Sequence, residues 1–206
     1  MDRVAAYIDG FNLYFGLRDR KLKAYYWLDL GALVVSLLKP HQRLAQLDYF
    51  TARIRSTPGN QEDAKRQSTY LDALVAAGST RIHYGHYLAK TRRCFECGAF
   101  WEAHEEKMTD VNIATRMLVD AYENQFDTAL LISADSDLVT PVTEIRKRFP
   151  GKRIVAAMPP GRASKNLRKA VDASFQNGEA NIRKSQLPDR IPTESGFILQ
   201  RPATWK

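Results

Sequence analysis

The fold is decided by residues 130–138, which read Leu130-Leu131-Ile132-Ser133-Ala134-Asp135-Ser136-Asp137-Leu138. This apolar run ends in two carboxylates two residues apart, with no Gly or Pro between them. An open α/β sheet builds its ligand sites at the carboxyl ends of its strands. The pattern therefore predicts a buried strand that delivers acids to a site. The competing interpretation is a helix start, with Asp135 or Ser136 as the N-cap and Asp137 favoured by the helix dipole.

Strand-like and helix-like segments alternate along the chain. Strands are predicted at residues 4–8, 44–54, 80–88, 128–132 and 153–158, with helices between and after them. The alternation predicts an α/β fold with a doubly wound, mostly parallel five-stranded sheet. The strand order 3-2-1-4-5 would place the first and fourth strands side by side at the switch point, which is the default ligand site of such sheets.

The domain organisation follows from the composition of the C-terminal end. A single domain is predicted over residues 1–178, with an irregular cysteine-containing loop at 90–104 and a C-terminal extension at 179–206. Three prolines after residue 186 predict a weakly ordered tail. Its apolar residues are available to dock on the domain, on a partner protein or on a second copy of the chain, and they are Phe197, Ile198, Leu199 and Trp205.

The charge balance indicates a polyanionic partner. The 206 residues include 31 Lys and Arg against 23 Asp and Glu, which gives a net charge of +8. A basic surface suits RNA or DNA. No apolar stretch approaches the roughly 20 residues of a membrane span. No signal peptide is recognisable, and two cysteines are too few for a disulfide framework, so we expect a cytoplasmic protein.

Two further acids are expected at the edge where residues 130–138 end. Asp9 ends the first strand, and Asp110 lies in the first turn of a helix, in line with its apolar stripe. Alternatively, the helix dipole alone favours Asp110. Carboxylates that converge repel one another unless cations lie among them. Oxygen ligands suit Mg²⁺ or Mn²⁺, which activate water and stabilise charge on a phosphoryl oxygen. The acids therefore predict phosphodiester hydrolysis.

Three segments of the chain match one family in their order and spacing. They are YIDGFNL at residues 7–13, EKMTDV at 106–111 and ISADSD at 132–137. They resemble the motifs of the NYN domain, a branch of the PIN-like nuclease superfamily. The resemblance covers roughly residues 2–175 and implies a doubly wound α/β fold with Mg²⁺- or Mn²⁺-dependent ribonuclease activity.

The resemblance also implies roles for single residues. The metal and catalytic acids would be Asp9, Asp110, Asp135 and Asp137. Asn12 would orient water or substrate, and Ser133 would sit beside the acids. Two positions depart from the family pattern, because Ala134 stands where Gly is usual and Leu138 where an aromatic residue is usual. These departures bear on the geometry of the loop, not on the carboxylates.

Basic and aromatic residues around the motifs are candidate RNA contacts. Lys107 could contact a phosphate, and a solvated lysine is an equally good interpretation. The other candidate phosphate contacts are Arg92, Arg93, Arg162, Lys165, Arg168 and Lys169. Aromatic residues near the first motif, such as Tyr14 and Tyr26, are interpreted chiefly as packing residues, with stacking on RNA as the alternative.

The sequence CFECG at residues 94–98 is similar to a zinc knuckle. A closed structural Zn²⁺ site needs four ligands, so His104 and either His86 or His83 are the candidates to join Cys94 and Cys97. The alternatives are two reduced thiols at a loop tip, or a pair shared with a second subunit.

Three functions are consistent with these features. The leading hypothesis is a metal-dependent ribonuclease that hydrolyses RNA through the Asp cluster. The alternative is a non-catalytic RNA-binding or regulatory module that retains the acidic site. DNA nuclease activity is less favoured, because the chain offers no obvious additional DNA-gripping domain.

Overall fold

The fold is a parallel β-sheet with helices on both faces. A computed structural model describes residues 1–78 and 80–206, with the side chains of residues 88–90 and 101–106 outside the description. The strands are β1 (Asp2–Asp9), β2 (Gln42–Thr51), β3 (Arg81–Tyr84), β4 (His86–Arg93), β5 (Phe100–Lys107), β6 (Thr128–Ile132), β7 (Arg153–Met158), β8 (Ala173–Gln176), β9 (Arg190–Pro192) and β10 (Ile198–Gln200). The helices are α1 (Gly10–Asp19), α2 (Leu30–Leu37), α3 (Gln61–Ala76), α4 (Thr109–Tyr122), α5 (Val139–Arg148), α6 (Lys165–Ala170) and α7 (Glu179–Lys184). In this part of the chain, none of the helices is both long and apolar enough to cross a lipid bilayer.

The central sheet has six strands in the order β3-β2-β1-β6-β7-β8, and every neighbouring pair is parallel. The predicted α/β class and doubly wound sheet are confirmed. The predicted order 3-2-1-4-5 holds for the strands it included, because the predicted fourth and fifth strands are β6 and β7. The prediction of five strands missed β8, which is only four residues long and largely exposed, so it carries no apolar run.

The strand β1 supplies both faces of the sheet. Val4, Ala6 and Ile8 are buried in one hydrophobic cluster, whereas Ala5 and Tyr7 are buried in the other. Successive side chains of a strand point to opposite faces, so a central strand must be apolar on both. The first cluster contains residues of α1, α2 and α3, and the second contains residues of α4, α5 and α6. The strand β1 is therefore packed between two layers of helices.

The region between β3 and α4 differs from the prediction. The strand expected at residues 80–88 is divided at Gly85 into β3, which belongs to the central sheet, and β4, which leaves it. The prediction of an irregular loop over residues 90–104 is wrong, because β4 and β5 form a two-stranded antiparallel hairpin. Both strands are rich in charged residues in the sequence, so no alternating apolar face indicated them.

The C-terminal residues are folded against the domain. Leu187, Ile191, Leu199 and Trp205 are buried in the cluster that also contains α1, α2 and α3. The strands β9 and β10 pair as a short antiparallel ladder, and the Trp27 indole N–H donates to the Pro188 carbonyl at 2.8 Å. The expectation of a weakly ordered tail is therefore wrong, because apolar residues between the prolines are buried on the domain.

A buried carboxylate links β2 to β3. Asp48 is fully buried, accepts a hydrogen bond from the Arg81 guanidinium at 2.9 Å, and shares one with His83 Nε2 at 2.7 Å. Burial alone would raise the pKa of Asp48, but the hydrogen bonds from His83 and Arg81 outweigh it and hold the pKa below its ordinary value. The ionised carboxylate therefore stabilises this side of the sheet.

We expect the Asp48→Asn substitution to lower the free energy of unfolding by about 2 kcal/mol, because two charge-assisted hydrogen bonds are lost in a buried position. Urea denaturation at pH 7 measures the change. The matched control is Asp72→Asn, whose ion pair with Arg53 (3.6 Å) is half-exposed and is expected to contribute about 0.5 kcal/mol or less. Equal losses in the two variants would contradict a structural role for Asp48.

Candidate metal centre

The site begins at the junction between β1 and α1. Asp9 is the last residue of β1, and its side chain accepts a hydrogen bond from the Asn12 backbone N–H at 3.0 Å, which caps α1. Ile8 pairs with Ile132 across the β1–β6 ladder, so Asp9 and Ser133 are the next residues on adjacent strands. The Ser133 hydroxyl donates to Asp9 Oδ2 at 2.9 Å, and both side chains are buried.

The loop after β6 is held by three further hydrogen bonds. Ser133 Oγ accepts from the Asp135 N–H at 3.0 Å, and Asn12 Oδ1 accepts from the Ala134 N–H at 3.0 Å. Asp135 Oδ1 accepts from the Asp137 N–H at 2.9 Å. The helix α5 begins only at Val139, and its N-cap has no side-chain hydrogen bond. The interpretation of Asp135 or Ser136 as its N-cap is therefore wrong.

The third acid comes from α4. Met108 adopts a left-handed conformation (φ 77°) immediately before the helix, which turns the chain out of β5. Asp110 lies in the first turn of α4, and the buried Tyr7 hydroxyl fixes the same helix to β1 by donating to Asp120 Oδ2 at 2.8 Å. One carboxylate oxygen from each of Asp9, Asp110 and Asp135 lies within 4.8 Å of the other two.

The electrostatics of this cluster favour a cation. Burial raises the pKa of Asp9 to about 7, hydrogen bonds from Asn12 and Ser133 partly oppose the shift, and the charges of Asp110 and Asp135 add to it. A cation between the three carboxylates would relieve this repulsion. The donor set consists entirely of carboxylate oxygens, which fits hard ions such as Mg²⁺ or Mn²⁺ rather than softer metals.

The remaining predicted site residues lie around the cluster. Asp137 is exposed and is not among the three acids whose oxygens converge. Lys107 is exposed at the end of β5, three residues before Asp110. Asn12 is half-buried and holds the Ala134 backbone. This loop-tying bond was not predicted, because sequence alone does not show which backbone group an amide will reach.

The six candidate RNA-binding residues form two groups. Arg92 and Arg93 are exposed at the end of β4. The second group follows the end of β7, at the sheet edge that carries the acids. Arg162 lies in the connection to α6, and α6, which leads away from that edge to β8, carries Lys165, Arg168 and Lys169. In this group Arg162 forms an ion pair with Asp19 at 2.8 Å, whereas Lys165 is exposed in the first turn of α6, the part of the helix nearest that edge.

The two cysteines lie in the turn that joins β4 and β5. The Cys94 N–H donates to the Ala99 carbonyl at 2.8 Å, and Gly98, in the left-handed region (φ 72°), donates back to the Cys94 carbonyl at 3.0 Å. Backbone hydrogen bonds from Cys97 and Glu96 lower the pKa of the Cys94 thiol. Both cysteines therefore lie on one tight turn at the tip of the hairpin.

The histidines do not complete a zinc site with these cysteines in the described residues. His86 pairs with Lys107 at the opposite end of the hairpin, about 25 Å along the strand from Cys94 at 3.3 Å per residue. It is therefore not a ligand in a site with the cysteines of the same hairpin. His83 is hydrogen-bonded to Asp48 in the central sheet. The side chain of His104 lies outside the described part of the chain, and zinc at the cysteines stays a prediction.

We expect the Asp9→Asn, Asp110→Asn and Asp135→Asn variants each to weaken Mn²⁺ binding by about tenfold or more, because each removes a charged ligand from the cluster. Isothermal titration calorimetry measures the dissociation constants. Asp137→Asn is the matched control and should change the affinity by less than about threefold. A loss in Asp137→Asn as large as in Asp135→Asn would show that the ion is held elsewhere in the loop.

The raised pKa of Asp9 predicts a pH dependence of stability in EDTA. The folded state binds the Asp9 proton more tightly than the unfolded chain, so its stability should fall as the pH rises from about 4 to about 7. Thermal melts across this range measure the effect. Asp9→Asn should flatten this part of the profile, and an unchanged slope in that variant would contradict the assignment.

Comparison with known proteins places this site in a family. The family model described as "NYN domain" matches residues 3–178. The 6-hydroxy-3-succinoylpyridine 3-monooxygenase HspA of Pseudomonas putida is 27% identical, with 98% of this chain and 75% of that protein covered. The crystal structure of a protein of unknown function from Vibrio parahaemolyticus is similar in fold, with a TM-score of 0.57 and 18% identity over 86% of this chain and 94% of that one. Because the family model covers most of its length, the chain belongs to the NYN domain family, within the PIN-like nuclease superfamily.

Proposed function

We propose that this protein is a metal-dependent ribonuclease that hydrolyses RNA phosphodiester bonds. The observation that carries the proposal is the convergence of Asp9, Asp110 and Asp135 within 4.8 Å at the switch point of an NYN fold. The net charge of +8 supports a polyanionic substrate.

The proposed roles follow from the contacts of each side chain. The three convergent carboxylates would hold the ion. When bound, Mg²⁺ or Mn²⁺ supplies an activated water and stabilises charge on a phosphoryl oxygen. Asp137, exposed beside the cluster, would accept a hydrogen bond from the attacking water and orient it. Ser133 and Asn12 would act as positioning residues, since both hydrogen-bond within the loop that carries Asp135.

The substrate strand would be held by cations near the acidic edge. Lys107 and Lys165 are exposed at the ends of elements that lead to or from this edge. Arg168 and Lys169 extend the positive surface along α6, whereas Arg162 is paired with Asp19. Arg92 and Arg93 lie toward the cysteine end of the hairpin, so only a longer RNA strand would reach them. Phosphate contacts of this kind give affinity without sequence specificity, so binding should weaken as salt rises.

We expect the protein to cleave a labelled single-stranded RNA pool in Mn²⁺ or Mg²⁺ and not in EDTA. The Asp135→Asn variant should lose at least about 100-fold in rate, because it weakens binding of the ion that would stabilise charge at the reacting phosphate. Asp72→Asn, an exposed change on α3, should cleave like the natural sequence. Gel analysis of the products measures the rates.

An unchanged rate in Asp135→Asn would overturn the proposed active site. Salt-dependent RNA binding without metal-stimulated cleavage would instead favour the non-catalytic RNA-binding or regulatory module. A protein partner or a second copy bound through the C-terminal residues is a separate prediction, and sedimentation of the purified chain would test the second copy.

A second candidate function is supported by the Pseudomonas putida relative. Its alignment covers 98% of the chain and so continues past residue 178, where the family match ends. Its name describes an oxygenation of a substituted pyridine. We therefore include oxygen uptake with 6-hydroxy-3-succinoylpyridine and a reduced nicotinamide as an assay. Uptake above background that depends on both compounds would favour this function over RNA cleavage.

A further inference from the structure

An aromatic cavity lies beside the acidic cluster. Its volume is about 400 Å³, which is within the range of small-molecule sites. Six aromatic side chains that line the cavity form a continuous chain in space, in which each ring contacts the next with a centroid separation of 5.1–6.2 Å. We call this set the aromatic arc, and it consists of Phe11, Phe15, Tyr14, Tyr26, Trp205 and Tyr70.

The cavity and Asp9 meet at the first turn of α1. Gly10, directly after Asp9, lines the cavity, and a Cβ at this position would lie 2.8 Å from the Tyr49 ring and 2.6 Å from the Phe50 carbonyl. The glycine therefore lets the Tyr49 ring pack against the start of the helix. Burial raises the pKa of the Tyr49 hydroxyl, and the nearby Asp9 carboxylate adds to the shift. A ligand in the cavity would lie next to the metal-site acids.

The C-terminal residues complete the cavity. Trp205 is almost fully buried and contacts Tyr26 at 5.6 Å and Tyr70 at 6.2 Å. The Arg201 guanidinium donates to the Trp205 carbonyl at 2.7 Å and so holds this end of the chain against the domain. Because the family match ends at residue 178, this wall is a feature of the present chain beyond the matched domain.

The rim of the cavity carries polar and charged groups among the aromatic rings. Lys23 is exposed at the rim, and the Arg18 guanidinium lies 4.4 Å from the Phe15 ring centroid. Arg66 and Asp63 also line the cavity and are paired with each other. Tyrosine hydroxyls among the rings offer hydrogen-bonding groups.

We propose that this cavity binds one planar nitrogen-containing aromatic ring by stacking within the aromatic arc. This inference rests on the proposed ribonuclease function for the source of the ring, which would be the nucleobase next to the scissile phosphate. Stacking on aromatic side chains is a common way to hold single-stranded bases. The same chemistry could be supplied by a free heteroaromatic compound.

The test measures ring binding in EDTA, where no cleavage occurs. Labelled single-stranded RNAs are compared with versions in which one nucleotide in turn is abasic, and fluorescence anisotropy gives the dissociation constants. We expect loss of one particular base to weaken binding by about tenfold. Uridine monophosphate and nicotinate are titrated calorimetrically in parallel as free rings.

Two variants locate the binding. Tyr14 is 43% exposed, so Tyr14→Ala should fold normally and abolish the effect of the abasic position. Ile54→Trp, which places a bulky ring in the cavity from another wall, should do the same. Tyr122→Ala, at a tyrosine that is 81% exposed on α4 and does not line the cavity, is the matched control. Thermal melts of the three variants check that each is folded.

Each outcome decides between the alternatives. An abasic effect that disappears in Tyr14→Ala and persists in Tyr122→Ala supports a nucleobase in the cavity. Tight binding of nicotinate that Tyr14→Ala removes, with no abasic effect, supports the ring site with a free compound as its ligand. Absence of both effects, or equal effects in Tyr14→Ala and the natural sequence, overturns the ring site. Because no cleavage is measured, these results are independent of the nuclease assay.

Discussion

The hydrogen bond from the Ser133 hydroxyl to Asp9 Oδ2 joins the two strands at which the order of the sheet reverses. It forms only because β1 and β6 are adjacent and in a register that pairs Ile8 with Ile132. The same hydroxyl accepts from the Asp135 N–H and so sets the position of the second acid. Two carboxylates that repel each other are thereby held at one edge by the packing of the sheet.

The packing around the cluster offsets the unfavourable burial and mutual repulsion of its carboxylates. Burial makes ionisation of Asp9 unfavourable, as its raised pKa shows. The sheet holds the carboxylates together because β1 is buried on both faces. The hydrogen bond between Tyr7 and Asp120 also fixes α4 against β1. The negative charges that repel one another in the cation-free protein also attract a cation to the cluster. The cluster therefore lowers the stability of the cation-free fold and, in the same place, offers a site for a cation.

Much of the fold could be predicted from the sequence, because the signals are local. Apolar runs that end at Asp9 and Asp135 mark central strands, and the alternation of elements then fixes the α/β class. The hairpin of β4 and β5 could not be predicted, since its strands lack an apolar face. The burial of Trp205 was missed because its partners, Tyr26 and Tyr70, are distant in sequence. Four acids were predicted at this edge, and oxygens of three of them, Asp9, Asp110 and Asp135, converge. Asp137, the fourth, is exposed and outside this group, because its position depends on loop geometry that sequence does not specify.

The convergence of Asp9, Asp110 and Asp135 predicts that these three acids together bind a divalent cation. Crystals of the protein grown with Mn²⁺, with diffraction recorded at the manganese absorption edge, would locate the ion. We expect an anomalous difference peak between the three carboxylates, within coordination distance of an oxygen from each. A map with no peak there, or with manganese bound only elsewhere, would contradict it.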